Sequence, residues 1–420
     1  EARDYAARAK NALASAQEAA KRGDIATADA LNRVAAELQE AAKKAAKWAI
    51  ASQQKSRLDA MVYLAQSERP IPAVADEFDR DPWLLNVRNG TIDLRTGTLK
   101  PHRRNDLQTA IAPVEYDPDA ECPLWEAFLQ RIFGGNRALM GFVQRWAGLA
   151  LTGSSAEQSL FFAYGSGANG KSTFINTLIH ILGNDYATQA PPDLLVAPAG
   201  AEPHPTRLAD LHGKRLVASI EVDDGKRLAE GLVKQLTGGD KIKARFLYRD
   251  FFEFDPTHKL ILVANHKPVI RGTDFAIWRR FRLVPFTVTI PEHEQDKDLP
   301  QKLRSEASGI LAWAVRGCLE WQRAGLNPPP EVIAATEEYR AESDTIGAFL
   351  AERTVSGDGL EVRAGTLYRA YQAWCNENGE HVLTSTAFGR KLAERGIERR
   401  RGRSTNVYVG IGVVDDDTKN

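Results

Sequence analysis

The sequence predicts an α/β fold built around a strand–loop–helix core, with a helical region before the core and a winged-helix module after it. Three observations carry this. The run Phe161-Phe162-Ala163-Tyr164 reads as a buried strand, a glycine-rich loop follows it, and Phe174, Leu178, Ile179 and Leu182 then recur at helical spacing. Apolar runs at 215–220 and 259–264 each end in polar residues, as parallel strands do where they meet a ligand. Apolar content of 43% and charged content of 26% over 420 residues are ordinary for a globular protein of two to four domains.

The same numbers exclude several classes. Lys and Arg together equal Asp and Glu together, at 55 each, so no global basic field announces a nucleic acid. Any such contact must come from local charge. Cys122, Cys318 and Cys375 form no close pair, which argues against a zinc site or disulfide framework and fits a reducing cytoplasm. No apolar run reaches membrane-spanning length. The chain begins at Glu1 rather than Met, inside a helical pattern, and reads as a piece of something longer.

Residues 1–67 are rich in Ala, Lys, Glu and Gln, with Gly23-Asp24 as the break. Beyond it Leu31, Val34, Leu38, Ala41, Ala45 and Trp48 form one narrow stripe. Two readings stay open: a hairpin packed within its own chain, or a collar through which subunits associate. Residues 68–152 form a small α+β region. There Asn89-Gly90 and Thr96-Gly97 mark hairpin turns, prolines at 113, 118 and 123 a connector, and 124–133 and 137–151 two helices.

The core occupies 153–325. After the loop helix, 188–213 is too rich in proline to be a central element and reads as a mobile surface loop. Strand 215–220, a helix through Leu228–Leu236, a hairpin over 241–254, strand 259–264, strand 282–286 and a helix over 297–323 follow. Past Asn327-Pro328-Pro329-Pro330, residues 331–413 show helices near 331–352, 364–378 and 384–395 and a strand–turn–strand at 397–413. Three helices with a two-stranded wing suggest a winged helix.

The chemistry centres on Gly165, Ser166, Gly167, Ala168, Asn169, Gly170, Lys171, Ser172 and Thr173, which fit the phosphate-loop spacing G-x-x-x-x-G-K-[ST]. Backbone N–H groups and a helix N-terminus would face the phosphates of ATP, Lys171 would reach the β- and γ-phosphates, and Ser172 would hold Mg²⁺. Glu221, at the end of its strand, is assigned to Mg²⁺ and water activation, with Asp223 or Asp224 in support. Asn265, ending the next strand, would orient the lytic water or sense the γ-phosphate. Arg279 and Arg280 are candidates for an arginine finger that enters a neighbouring subunit. Lys241, Lys243, Arg245, Tyr248 and Arg249 put cations among aromatics on one hairpin, as single-stranded nucleic acid requires. Residues 384–406 hold seven Lys or Arg against two acids, and Arg390, Lys391, Arg399, Arg400 and Arg401 are their candidate DNA contacts.

Taken together, the loop with Asn169 before its second glycine, Glu221, Leu236-Thr237-Gly238-Gly239-Asp240, Ala264-Asn265-His266-Lys267-Pro268 and Gly272–Arg280 resemble the superfamily 3 helicases. More narrowly, they resemble the helicase half of phage, plasmid and poxvirus primase-helicases. That resemblance implies an AAA+-like motor forming a hexameric ring around single-stranded or forked DNA, with ATP between subunits and 3′→5′ movement. It also implies a primase or polymerase domain or partner, and a bacterial host cytoplasm for a phage system. Another reading is an ATP-regulated replication initiator or loader that unwinds little.

Overall fold

The computed structural model describes residues 1–69, 71–191, 193–197, 205–220, 226–270, 275–401 and 405–414. They fall into two units, 1–77 and 78–420. In the first, α1 (Ala2–Lys21) and α2 (Ile25–Ser52) form an antiparallel hairpin, and α3 (Lys55–Ala65) follows. Gly23, at φ +82°, makes the turn, and Asp24 caps α2 by accepting from the Thr27 N–H at 3.1 Å. The hairpin seam is alanine: Ala9 and Ala16 face Ala28 and Ala35, all buried. The residues buried between α1 and α2 are therefore alanines beside the stripe, and not the stripe itself. Small side chains let the two backbones approach, which shifts the seam off the expected residues. Val34 and Trp48 are left exposed, at 47% and 67%. On α3 and the end of α2, Ile50, Met61, Val62, Tyr63 and Leu64 are exposed as well.

The second unit opens with a three-stranded antiparallel sheet, β1 (Leu84–Val87), β2 (Gly90–Asp93) and β3 (Thr98–Lys100). Helices α4 (Pro123–Ile132) and α5 (Arg137–Leu151) follow close to their expected bounds. Then come β4 (Leu160–Tyr164), α6 (Lys171–Tyr186), β5 (Ala187–Ala190), α7 (Pro205–Ala209), β6 (Leu216–Ile220) and α8 (Glu230–Thr237). A short hairpin, β7 (Ile242–Ala244) and β8 (Phe252–Phe254), precedes β9 (Lys259–Ala264), α9 (Phe275–Trp278) and β10 (Phe281–Pro285). Strands β10-β4-β9-β6-β5 form one sheet in that order, every pair parallel. Side chains alternate across it: Phe161 and Ile261 face α5 and α6, while Phe162 and Leu262 face α8.

Helices α10 (Leu299–Ser305) and α11 (Ala307–Ala324) cover the first face with α5. Gly148 of α5 sits so close to α11 that a Cβ there would lie 2.0 Å from the Cys318 nitrogen. That contact fixes the helix crossing. At the amino edge of the sheet, buried Arg215 donates to the Leu151 and Leu84 carbonyls and buried Lys259 to those of Thr152 and Thr257. Two cations thus cap the carboxyl end of α5.

The last region comprises α12 (Pro330–Glu342), α13 (Thr345–Arg353), β11 (Thr354–Arg363), α14 (Ala364–Glu377), α15 (Ser385–Glu394), β12 (Arg399–Arg401) and β13 (Asn406–Val413). Its sheet has three strands, β11-β13-β12, where the sequence suggested two. Three further expectations need correction. Residues 187–190 are the edge strand of the main sheet, held by pairing with β6, and not the start of a loop. The helix expected over 297–323 is two, because Glu306 at the break accepts the Leu124 and Trp125 N–H groups and so caps α4. The helix expected over 331–352 is also two, split where Asp344 caps α13 through the Gly347 N–H.

Candidate nucleotide site and nucleic-acid surfaces

The glycine-rich loop leaves β4 at the carboxyl edge of the sheet and runs into the first turn of α6. Two of its glycines are required by geometry. Gly165 has φ +154° and Gly170 +84°; a Cβ at the first would meet the Phe286 oxygen at 2.2 Å, and at the second the Ile132 side chain at 2.5 Å. Gly167 has nothing within 4 Å, so the outer rim is open. At the base, Lys171 is buried, and its Nζ donates to Gly165 O at 2.6 Å, Ser166 O at 3.1 Å and Asn169 Oδ1 at 3.0 Å. Burial lowers this ammonium to about 8. Asn169, expected to contact nucleotide, is itself buried, and its side chain is spent on bracing. Its amide donates to Ser166 O and, at 3.1 Å, to Phe286 O beyond β10. Ser172 is exposed and Thr173 half-buried at the start of α6.

Register places the other candidates. Ala264 pairs with Tyr164, so Asn265, exposed, follows directly beside the loop. Ile220 pairs with Val263 at the same edge. Glu221, Asp223 and Asp224, which come next in sequence, lie outside the described residues.

The two arginines are at the opposite edge. Phe281 pairs with Leu160, so Arg279 and Arg280 precede the amino end of β10, and both reach Gln158, at 3.3 and 3.4 Å. A five-residue strand separates them from the loop, roughly 15 Å at about 3.3 Å per residue. The pair is not equivalent. Arg279 is exposed, whereas Arg280 is buried, with Nε donating to Thr237 Oγ1 at 3.0 Å and its guanidinium to Ala276 O. Arg280 is therefore committed inside its own subunit.

In the β7–β8 hairpin, Ile242 and Ala244 turn into the core while Lys243 and Arg245 turn out, both over the Phe251 ring at 5.3 and 5.0 Å. Lys241 and Arg249 are exposed too. At the tip Tyr248 is 96% exposed and held at φ +61°, a conformation unfavourable for an aromatic residue. On α15, Arg390 is exposed, while Lys391 is half-buried against Glu394 at 3.0 Å. Arg399, Arg400 and Arg401 are all exposed, but alternation puts Arg400 on the other face, where it pairs with Glu361 of β11.

Tyr164 and Lys267 stand inside motifs of the sequence without a role assigned to them, and Phe286 and Gln158 stand outside any motif. Phe286 and Gln158 act through a carbonyl and an amide, which leave no pattern in the chain.

A parallel sheet with a glycine-rich loop and a buried lysine at its carboxyl edge defines a mixed α/β protein. Comparison with known proteins narrows this. The family model described as D5 N terminal like matches residues 7–134, a family of unknown function matches 163–280, and the model described as Poxvirus D5 protein-like matches 341–418. A protein of Acanthamoeba polyphaga mimivirus, provisionally named a helicase, is 26% identical over 73% of this chain and 34% of its own length. One from Frog virus 3, likewise provisionally named a helicase, is 25% identical over 74% and 40%. A protein of African swine fever virus, provisionally named a primase, is 23% identical over 71% and 34%. Among solved structures, the C-terminal region of NrS-1 is similar at 15% identity and a TM-score of 0.49, covering 85% of this chain and 90% of that one. Together these matches support a primase-helicase family of the superfamily 3 type. It spans 34–40% of the length of the viral relatives just named. Those relatives are from viruses of eukaryotes. No helix among the described residues is long and apolar enough to cross a membrane.

Proposed function

We propose that this chain is the ATP-driven motor of a DNA replication helicase, acting as a ring whose ATP sites are shared between neighbouring subunits. The observation that carries the reading is the split of the catalytic candidates between two edges of one sheet. The phosphate loop, Lys171 and Asn265 stand at the carboxyl edge, and the exposed Arg279 at the amino edge. An arginine side chain cannot bridge that gap within one subunit, so a finger role for Arg279 requires a neighbour. The exposed apolar side chains of α2 and α3 are consistent with a collar that holds the subunits together.

In this reading the loop N–H groups and the amino end of α6 bind the β- and γ-phosphates, and Lys171 exchanges its carbonyl partners for phosphate oxygens. Ser172 and Glu221 would hold Mg²⁺, which neutralises charge developing on the phosphates. The residue types fit: a hydroxyl and a carboxylate are hard oxygen ligands. Glu221, with Asp223 or Asp224, polarises the attacking water, Asn265 orients it, and the neighbour's Arg279 stabilises charge on the γ-phosphate as the bond breaks. Lys241, Lys243, Arg245 and Arg249 track a strand's phosphates while Tyr248 stacks on a base. The C-terminal module, read as a winged helix, adds duplex or fork contacts. A primase or polymerase domain is its expected partner, and 3′→5′ movement its expected direction.

Two predictions follow from the geometry. Because Lys171 sits at about 8 without phosphate and an anion raises it, nucleotide affinity should weaken as pH climbs from 7 to 9. Above about 8 the protein must take up a proton to bind, so calorimetry at pH 8.5 in buffers of different ionisation enthalpy should report proton uptake. Buffer-independent heats would contradict the placement of Lys171 on the phosphates.

The second concerns the C-terminal arginines. Replacing Arg399 and Arg401 together by alanine should weaken DNA binding and reduce the slope of log affinity against log salt by roughly 1.5–2. Arg400→Ala should do less, because Glu361 already neutralises it. Fluorescence anisotropy across a salt series reads both. Unchanged binding in the double variant would assign this face to a protein partner.

A further inference from the structure

Two residues beyond Asn265, Lys267 occupies a junction that neither the phosphate site nor the DNA surfaces account for. Its Nζ lies 5.3 Å from the ring centre of Tyr164, the residue immediately before the phosphate loop, and 5.5 Å from that of Tyr339 on α12. It also makes a 2.6 Å ion pair with Glu342, the last residue of α12. The Lys267 side chain is 19% exposed and that of Glu342 50%, so the pair is sheltered on the lysine side and open to solvent on the glutamate side. Next to it, buried Tyr339 donates its hydroxyl to the Pro268 carbonyl. The sensor segment is thus gripped twice by the end of one helix.

What lies beyond that helix end matters. Ser343 breaks the helix, and Asp344 caps α13 and binds the Arg395 guanidinium at the end of α15, the helix that carries Arg390 and Lys391. A continuous set of contacts therefore runs from the phosphate loop and Asn265 through Lys267, Glu342 and Asp344 to the basic helix. The joint is not filled solid. A cavity of about 440 Å³ lies along it, lined by Lys267, Tyr339, Glu342, Tyr371, His381 and Lys391. Packed side chains on both sides with space between them allow the helix end a second arrangement.

We propose that Lys267 is a positioning residue that couples the nucleotide site to the C-terminal module through its ion pair with Glu342. Phosphate bound at the loop and sensed at Asn265 shifts the segment that holds Lys267. The Glu342 carboxylate follows the ammonium, and Asp344 passes the displacement to Arg395 and α15. By reciprocity, DNA held on the module biases the position of the sensor segment, and through that segment it alters how the site is set for hydrolysis. The proposal rests on the reading of the chain as a DNA-dependent ATPase.

The test compares the full chain with Glu342→Gln, Lys267→Met, the double variant, and the charge exchange Lys267→Glu with Glu342→Lys. ATP hydrolysis is measured with and without forked DNA. Wild type should show DNA-stimulated turnover. Glu342→Gln should keep basal kcat and KM and its thermal unfolding midpoint, yet lose about fivefold or more of the stimulation, the range of typical coupling energies. Lys267→Met should lose the stimulation equally, the double variant no more than either, and the charge exchange should regain part of it. Full stimulation in Glu342→Gln, or additive losses without recovery in the exchange, would overturn the coupling while leaving the motor reading intact. Absence of DNA-stimulated hydrolysis in wild type would overturn both.

Discussion

Arg279→Ala should lower ATP turnover by about 10³-fold or more while nucleotide binding persists, because a finger stabilises the transition state far more than the ground state. Arg280→Ala should behave differently. Its guanidinium is buried on Thr237 and Ala276, so its loss should lower the unfolding temperature first and activity as a consequence. A mixing experiment isolates the shared site. Arg279→Ala protein keeps an intact phosphate loop, and Lys171→Ala protein keeps an intact finger. If the finger acts between subunits, combining the two inactive proteins restores hydrolysis at those junctions where a good loop meets a good arginine. A mixture as inactive as its components would confine both residues to one subunit. That would conflict with the sheet-length separation between them.

Lys171→Ala carries the second large effect. The lysine is buried at the base of the loop, where it donates to the Gly165 and Ser166 carbonyls and to Asn169 Oδ1. Removing it should cut turnover by at least about 10²-fold, the usual cost of deleting a preorganised charge donor. The fold should survive, since the core of β4 and α6 is built from Phe161, Phe174, Leu178 and their neighbours. Filter binding of labelled ATP alongside a thermal melt separates the two effects. Retained hydrolysis in a folded Lys171→Ala protein would move the nucleotide to another part of the chain.

The loop and its flanking strand and helix were legible in the sequence, because there local rules agree: a continuous apolar run, glycines where a Cβ cannot fit, and helical spacing immediately after. Strand 259–264 was legible for the same reason, being buried on both faces. What escaped was decided by distant contacts. Glu306 breaks a long helical pattern because it caps α4, far away in sequence, and no local signal marks that. Strand β5 consists of Ala187-Thr188-Gln189-Ala190, in which only Thr188 favours a strand, and it pairs along the edge that β6 offers. Strand β11 was hidden by Gly357-Asp358-Gly359, which reads as a turn and is accommodated as an irregularity between Ser356 and Glu361. At the candidate site, the sequence alone left Arg279 and Arg280 equivalent. Burial separates them, and burial is a property of the packed sheet edge.

The measurement that bears most directly on the central proposal is strand displacement from a forked DNA, followed together with ATP hydrolysis, on substrates whose single-stranded tails differ in polarity. DNA should accelerate hydrolysis, strands should separate only with ATP and Mg²⁺, and a 3′ tail should support the reaction. Lys171→Ala and Arg279→Ala should each abolish both signals together. ATP hydrolysis stimulated by DNA with no displacement from either fork would contradict a helicase and leave an ATP-regulated initiator or loader in its place.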